Sequence, residues 1–382
     1  MTDAGQSTLP SGIRRILVLS IFFTEGHGGT PESVLLLARE LAAFGIATDV
    51  FCNKGLLRDA HLRQVLPVAD DAASFSALKP DTGSYTALFV AGSWNMQAPL
   101  MVLHAARKGV PVTYAAKGNL CQVDFVRLRD TRRVPYLLLV EWLLLALSSH
   151  IVFSSRAERR AWILPSWMWR DKAVFLPEPF WGPQPQPAVL PDNPVPTLGF
   201  MAEISQRKGL FELIEGLGLF LAMKPGASVR LRIAGAIKKG AEGYFEKCRA
   251  LAQRNGTAAH IEWCPPMRGS KRDEFYRSLD VFMCPSRFES FGLTPLEALW
   301  RGIAVCAAPT MGVLEFLHPD APVLRLSTLG KEDIARAIGE LLDNMESWRG
   351  KGRAWQGRHA LMQTNSQIAA DFARVLLGAD RA

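Results

Sequence analysis

The sequence predicts an α/β protein built from two Rossmann-like domains with mainly parallel sheets. Three observations carry this reading. Two series of short apolar runs alternate with helical stretches, a proline-dense stretch divides them, and the length of 382 residues suits two α/β cores better than one.

The first series opens at Ile16–Ser20, a continuous apolar run of the kind a strand buried on both faces requires. A Gly-rich turn, Gly26-His27-Gly28-Gly29, follows and runs straight into a helix. Thr30 suits its N-cap and Pro31 its first position, Val34, Leu37, Ala38 and Leu41 form one apolar face, and Gly45 ends it. Ala47–Cys52, Ala87–Ala91, Val110–Ala115 and His150–Ser154 read as further strands separated by helical stretches. The alternation argues for a parallel sheet covered on both faces.

From Pro177 to Pro196 the chain carries eight prolines and few regular apolar repeats. This places an interdomain linker at residues 179–196, between domains of residues 1–178 and 197–362. The second series comprises Thr197–Ala202, a helix over Gly209–Met223, Val229–Ala234, Ile261–Cys264, Val281–Cys284 and Ile303–Ala307, with helices starting near Lys271, Pro295 and Lys331. Residues 363–382 are expected to form a C-terminal helix able to cross back to the first domain.

A hydrophobic fraction of 48% with 21% charged residues is that of a packed globular body. The net charge of +8 favours an anionic partner: nucleic acid, an acidic membrane face or a phosphorylated small molecule. No clustered aromatic-basic motif supports nucleic acid. The six cysteines lack any C-x-x-C pair, which fits reduced thiols and neither a disulfide framework nor a zinc site. Met1–Ser11 is polar and does not read as a signal peptide. Val134–Leu147 contains Glu141 and is shorter than the roughly 20 residues a membrane span needs, so a cytoplasmic protein is expected.

The segment richest in chemistry is Pro285-Ser286-Arg287-Phe288-Glu289-Ser290-Phe291-Gly292-Leu293-Thr294-Pro295-Leu296-Glu297-Ala298-Leu299. It leaves a strand, turns through a Gly-containing loop and enters a helix. Thr294 can cap that helix, Pro295 suits its first position, and Glu297 at N3 can be the far half of a capping box. The same junction also offers free N–H groups and a positive dipole end, a seat for a diphosphate. Glu289 and Glu297, with seven residues between them, would flank that seat and accept hydrogen bonds from a sugar on one side and a ribose on the other.

These residues resemble the E-x7-E motif of retaining glycosyltransferases of the GT-B fold, in particular glycosyltransferase family 4. The later Gly302 and Met311-Gly312-Val313-Leu314-Glu315 echo the family's G-x-P-V and G-G-x-x-E elements, and the resemblance runs from Gly28-Gly29 to Glu315, weakest around residues 55–85. It implies two Rossmann-like domains facing an interdomain cleft, with a nucleoside-diphosphate-sugar held mainly by the C-terminal one. It assigns Glu289 to the donor sugar and Glu297 to the ribose. Ser205-Gln206-Arg207-Lys208-Gly209 is similar to the family's S-x-x-K-G segment, which gives Lys208 to the donor phosphates beside Ser205 and Arg207. Gly28 and Gly29 resemble its N-terminal glycine loop of close backbone approach to the donor, and Gly235 matches its strand-end glycine of the C-terminal domain. Phe291, Gly292, Leu293 and Thr294 complete the implied donor site, with Glu289 and Lys208 as its catalytic pair. Lys117, Gly118 and Asn119 resemble a P-R-G-x-L variant on the acceptor side.

Two departures stand out. Where the family usually has an arginine five residues before the lysine, this chain has Glu203, a carboxylate that would repel a diphosphate. Its N-domain also lacks the usual acceptor-side histidine, and His27 is an isolated loop residue. No D-x-D triplet occurs, so the expected reaction uses neither metal nor resident cofactor, and Lys208 with the N–H groups of Leu293 and Thr294 stabilises the departing nucleoside diphosphate. The resemblance implies same-face attack with a donor phosphate oxygen helping to take the acceptor proton, and no protein nucleophile. A glycan or lipid-linked glycan is the expected acceptor. Arg127, Arg129, Arg132 and Arg133 precede Val134–Leu147, and Arg156, Arg159 and Arg160 precede Trp162, Trp167 and Trp169. Both segments suit either core helices with solvated ends or peripheral contact with an anionic membrane face. A non-catalytic nucleotide-sugar binder is the alternative that Glu203 suggests. A nicotinamide enzyme is disfavoured because Gly26-His27-Gly28-Gly29 lacks G-x-G-x-x-G spacing.

Overall fold

A computed structural model describes residues 14–20, 29–52, 55–57, 81–93, 98–121, 137–180, 193–267 and 269–378. The N-terminal sheet contains β1 (Arg14–Leu19), β2 (Ile46–Cys52), β3 (Gly55–Leu57), β4 (Ala87–Ala91), β5 (Val112–Ala115), β6 (His150–Phe153) and β7 (Ala173–Phe175), in the order β3-β2-β1-β4-β5-β6-β7. All its pairings are parallel except that of β3 with β2. The C-terminal sheet contains β8 (Thr197–Met201), β9 (Arg230–Ala234), β10 (Ile261–Cys264), β11 (Val281–Cys284), β12 (Ala304–Ala307) and β13 (Val323–Arg325), all parallel, in the order β10-β9-β8-β11-β12-β13.

The strands β4, β11 and β12 are buried at every residue, as continuous apolar runs covered on both faces should be. The helices are α1 (Gly29–Ala42), α2 (Ala98–Arg107), α3 (Trp142–Leu147), α4 (Arg156–Ala161), α5 (Leu210–Met223), α6 (Glu242–Arg254), α7 (Gly269–Arg277), α8 (Leu293–Trp300), α9 (Lys331–Asp343), α10 (Met345–Trp355) and α11 (Asn365–Leu377). The fold is the two-domain α/β arrangement the sequence predicts. Its differences are local. The strand expected from Val110 begins at Val112, because Pro111 has no N–H to donate to the ladder and only its carbonyl accepts, from Leu88 at 2.9 Å. The short strands β3, β7 and β13 carry too few residues to show an apolar period.

The last helix, α11, packs on α1, β4 and β5 of the N-terminal domain. Phe372 lies against Phe89 with ring centroids 6.0 Å apart. Asn365 fastens its start, accepting the Phe180 N–H at 2.9 Å and donating to the Phe180 carbonyl at 2.5 Å. One continuous apolar cluster therefore runs from β1 and α1 through α11 into α8 and β12.

In doubly wound sheets ligands bind beyond the carboxyl ends of the strands, where the strand order reverses. In the C-terminal sheet that point lies between β8 and β11. The segments leaving these two strands are 202–209 and 285–292, which carry Ser205, Arg207, Lys208, Glu289, Phe291 and Gly292 of the expected donor site.

Candidate active site

The segment after β8 makes a tight turn over Gln206–Lys208, and Gly209 at φ +73° brings it back into α5. A side chain at Gly209 would run into the Pro285 carbonyl, so only glycine lets this turn lie against the end of β11. The Arg287 N–H donates to the Arg207 carbonyl at 2.8 Å and ties the two segments together. The resulting register brings Lys208 Nζ onto Glu289 Oε1, with Arg207 Nη1 3.8 Å from Oε2. The Ser286 hydroxyl donates to Oε1 at 3.2 Å. Burial alone would push the Glu289 carboxyl up, but Lys208, Arg207 and the Ser286 hydroxyl together hold it below the usual carboxylate range. Ser205 is buried at the start of the turn.

Glu203 finds its counter-ion in Lys238, at 3.6 Å, with nearly half of its side chain exposed. Three residues before Lys238, Gly235 approaches the Ala202 carbonyl so closely that a side chain would collide with it. Together with Ile204, Ile233, Phe245, Trp263 and Pro266 it lines a largely apolar cavity of about 330 Å³ at the carboxyl ends of β8, β9 and β10.

The capping-box reading of Glu297 does not hold. Helix α8 begins at Leu293, with Gly292 as its N-cap at φ +103° and no side-chain cap. Thr294 and Pro295 therefore lie inside the first turn, and Glu297 lies two residues beyond N3. Its buried carboxylate pairs with Arg272, whose Nε stands 3.1 Å from Oε2, and accepts the Tyr276 hydroxyl at 2.9 Å. Arg272 and Tyr276 project from one face of α7, one turn apart, a pairing that sequence spacing shows but whose target it does not. Phe291 is buried and packs against Phe316 with ring centroids 5.9 Å apart, anchoring the loop from beneath.

On the N-terminal side Lys117 takes φ +54° and Gly118 follows in the same left-handed region. The Lys117 ammonium is not turned outward for an acceptor. It is buried against Glu178, which also accepts the hydroxyls of Ser33 and, at 2.9 Å, Ser154. Asn119 is half-buried, its N–H donating to the Ala116 carbonyl at 3.2 Å. Burial would raise the Glu178 carboxyl, yet Lys117 and the two hydroxyls hold it below its ordinary value. Nearby Glu158 accepts the N–H groups of Gly118 at 2.6 Å and Ser154 at 2.7 Å, and there burial dominates and raises its carboxyl. Sequence reasoning missed Glu158 and Glu178. The spacing Ser155-x-x-Glu158 was a readable helix-start signal, and the Ser155 hydroxyl does accept the Glu158 N–H at 3.0 Å.

Gly28 and His27 lie outside the described residues, as do Arg127, Arg129, Arg132 and Arg133, while Gly29 opens α1. Of the tryptophan-rich segment, Trp162 and Trp169 are core residues packed on Phe153 at 4.6 and 5.1 Å, whereas Trp167 is exposed. Glu141 is buried and accepts the Tyr114 hydroxyl at 2.6 Å, while Leu139 and Trp142 of the same helical stretch face solvent. Among the described residues no helix is long and apolar enough to cross a membrane, and no cluster of metal-ligating side chains occurs. None of the six cysteines, all among the described residues, is in a disulfide, and all but Cys264 are buried.

The two mainly parallel sheets with their helices match the GT-B class of fold. Residues 186–354 match the family Glycosyl transferases group 1. Over 146 residues the chain is 33% identical to the D-inositol 3-phosphate glycosyltransferase of Acidothermus cellulolyticus, covering 38% of this chain and 33% of that protein. The homonymous protein of Stackebrandtia nassauensis is 30% identical over 193 residues, covering 50% of this chain and 42% of its own length. The chain thus spans about a third of the length of the first of these relatives. Among solved structures, Thermosynechococcus elongatus sucrose-phosphate synthase superposes with a TM-score of 0.69 at 16% identity, covering 96% of this chain and 99% of that one. Anabaena HepE in complex with UDP and glucose superposes at 0.66 and 16% identity, covering 96% and 100%.

Proposed function

We propose that the protein is a retaining glycosyltransferase of the family 4 type. It moves a sugar from a nucleoside-diphosphate-sugar to a glycan or lipid-linked glycan acceptor in cell-surface polysaccharide or glycoconjugate assembly. The observation that carries this reading is the Lys208–Glu289 pair at the β8/β11 switch point, with Arg207 beside it. Lys208, Arg207 and the first N–H groups of α8, which have no intrahelical acceptor, offer charge to a departing diphosphate, and on this reading no metal is required. Glu289 receives the donor sugar. Glu297, oriented by Arg272 and Tyr276, retains lone pairs for ribose hydroxyls. The apolar cavity beside Gly235 suits a nucleobase. Same-face attack, with a donor phosphate oxygen receiving the acceptor proton, needs no protein nucleophile, and the buried ion-paired Glu289 is held as a stabilising anion.

Thermal shift against UDP, GDP and ADP and their common sugar conjugates tests the donor site. One nucleotide is expected to stabilise the wild type by about 2.7 kcal/mol at a hundredfold excess over Kd, with clearly less in Glu297→Ala. No stabilisation by any of the three would remove the reading.

The exposed Leu139, Trp142 and Trp167 support peripheral contact with an anionic membrane face, where a lipid-linked acceptor would lie. Vesicles containing phosphatidylglycerol should co-sediment the wild type, and the double variant Trp142→Ser/Trp167→Ser should stay in solution. If wild type and variant sediment alike, the contact does not involve these residues.

A further inference from the structure

The first N–H groups of a helix need acceptors from outside it. In α4 the first two N–H groups find theirs in the other domain. The Arg156 and Ala157 N–H groups donate to Glu315 Oε2 at 2.9 Å and Oε1 at 2.8 Å, one carboxylate oxygen to each amide. Glu315 ends the short turn Gly312–Glu315 of the C-terminal domain. That turn is itself fastened to the loop after β11: the Gly312 N–H donates to the Glu289 carbonyl at 3.1 Å and the Val313 N–H to the Phe291 carbonyl at 2.8 Å. The Ser155 hydroxyl, which caps α4, donates to the Ser290 carbonyl at 2.6 Å. A side chain at Gly312 would strike both the Ser290 carbonyl and the Ser155 hydroxyl, so this position must be glycine for the surfaces to meet. From its other side α4 sends Glu158 to the Gly118 N–H at 2.6 Å.

We propose that Glu315 is a positioning residue. By holding the start of α4 through two charge-assisted hydrogen bonds it fastens the N-terminal domain to the Glu289 loop, and through Glu158 it keeps the 117–120 segment in register with that loop. One line of hydrogen bonds joined by two short stretches of chain, 312–315 and 156–158, then connects the backbone of Glu289 with that of Gly118. Resting on the glycosyl-transfer reading for its kinetic consequence, this line sets the distance between the two substrates. Glu315 is exposed, so its replacement leaves no buried hole.

The test compares full-length wild type with Glu315→Ala, the near-isosteric Glu315→Gln and Glu315→Asp. It reads amide hydrogen exchange at Arg156, Ala157 and Gly118, thermal stabilisation by UDP, GDP or ADP, and glycosyl transfer from the corresponding sugar conjugates. In Glu315→Ala and Glu315→Gln all three amides should exchange faster. Nucleotide stabilisation should persist, because the donor residues lie in the C-terminal domain, and kcat should fall by about 100-fold, the scale of a misplacement near 1 Å. Glu315→Asp should recover part of both losses. Unchanged exchange at Arg156 and Ala157 would overturn the fastening, and so would faster exchange there with Gly118 still protected. Faster exchange with unaltered kcat would overturn the positioning role. A wild type that neither binds nor turns over any of these nucleotides would defeat the glycosyl-transfer reading, and the exchange data would still decide the fastening.

Discussion

Lys208→Ala is expected to lower kcat for glycosyl transfer by about 100- to 1,000-fold, the usual cost of removing one preorganised group aimed at developing negative charge. The lysine has two consequences at the site. It supplies a cation at the β8/β11 switch point, and it holds the buried Glu289 carboxyl down against burial. Its loss leaves Arg207, 3.8 Å from the carboxylate, beside Glu289. The Glu289 carboxyl must then titrate higher, because the desolvation that raises it is unchanged. The acid limb of the pH–rate profile should accordingly move to higher pH in the variant, while Lys208→Arg keeps the charge and loses less. A variant with wild-type kcat and an unmoved acid limb would show that Lys208 neither stabilises the departing group nor holds the Glu289 carboxyl down during turnover.

Glu178→Ala is expected to destabilise the N-terminal domain by about 3–5 kcal/mol, the cost of breaking a buried pair and stranding one charge. Lys117 has 6% of its side chain exposed and Glu178 8%, so water cannot replace the missing carboxylate without opening the domain. The pair also carries a signature in pH. The Glu178 carboxyl is lowered from 4.5 in the folded protein, so its contribution is present above that value and is lost as pH falls through the lower folded one. Glu158 acts in the opposite sense. Its carboxyl is raised by burial, so its contribution is greatest below 4.5 and is lost as pH rises through the folded value. Denaturant unfolding followed from pH 7 into the acid range should therefore show a shallower loss of stability in Glu178→Ala, which has already forfeited the term that acid removes. Equal unfolding free energies at neutral pH would mean that Lys117 is satisfied without Glu178.

The strands were readable because a strand covered by helices on both faces must be a continuous apolar run, as β1, β4 and β11 are. The turn over Gln206–Lys208 and the Glu289 loop were readable because close backbone contact and anion chemistry restrict residue types locally. Gly209 shows this most directly: its neighbour across the switch point, the Pro285 carbonyl, tolerates no side chain. The helix start at Leu293 was misread because Thr294, Pro295 and Glu297 satisfy a capping pattern by composition, while the backbone turns earlier through Gly292 at φ +103°. The roles of Lys117 and Glu297 were hidden for another reason. A side chain's environment is made by residues far away along the chain, 61 positions for Lys117 with Glu178 and 25 for Glu297 with Arg272.

By itself the sequence determined the two α/β series and the residue types brought to the β8/β11 switch point, since each follows from local periodicity or local stereochemistry. Only the tertiary structure decided which carboxylates are anchored, that Lys117 is spent on a buried partner, and that Glu315 reaches across 159 positions to the start of α4. Burial and opposite charge act over a few ångströms of space, and a linear chain records distances of that kind only after it has folded.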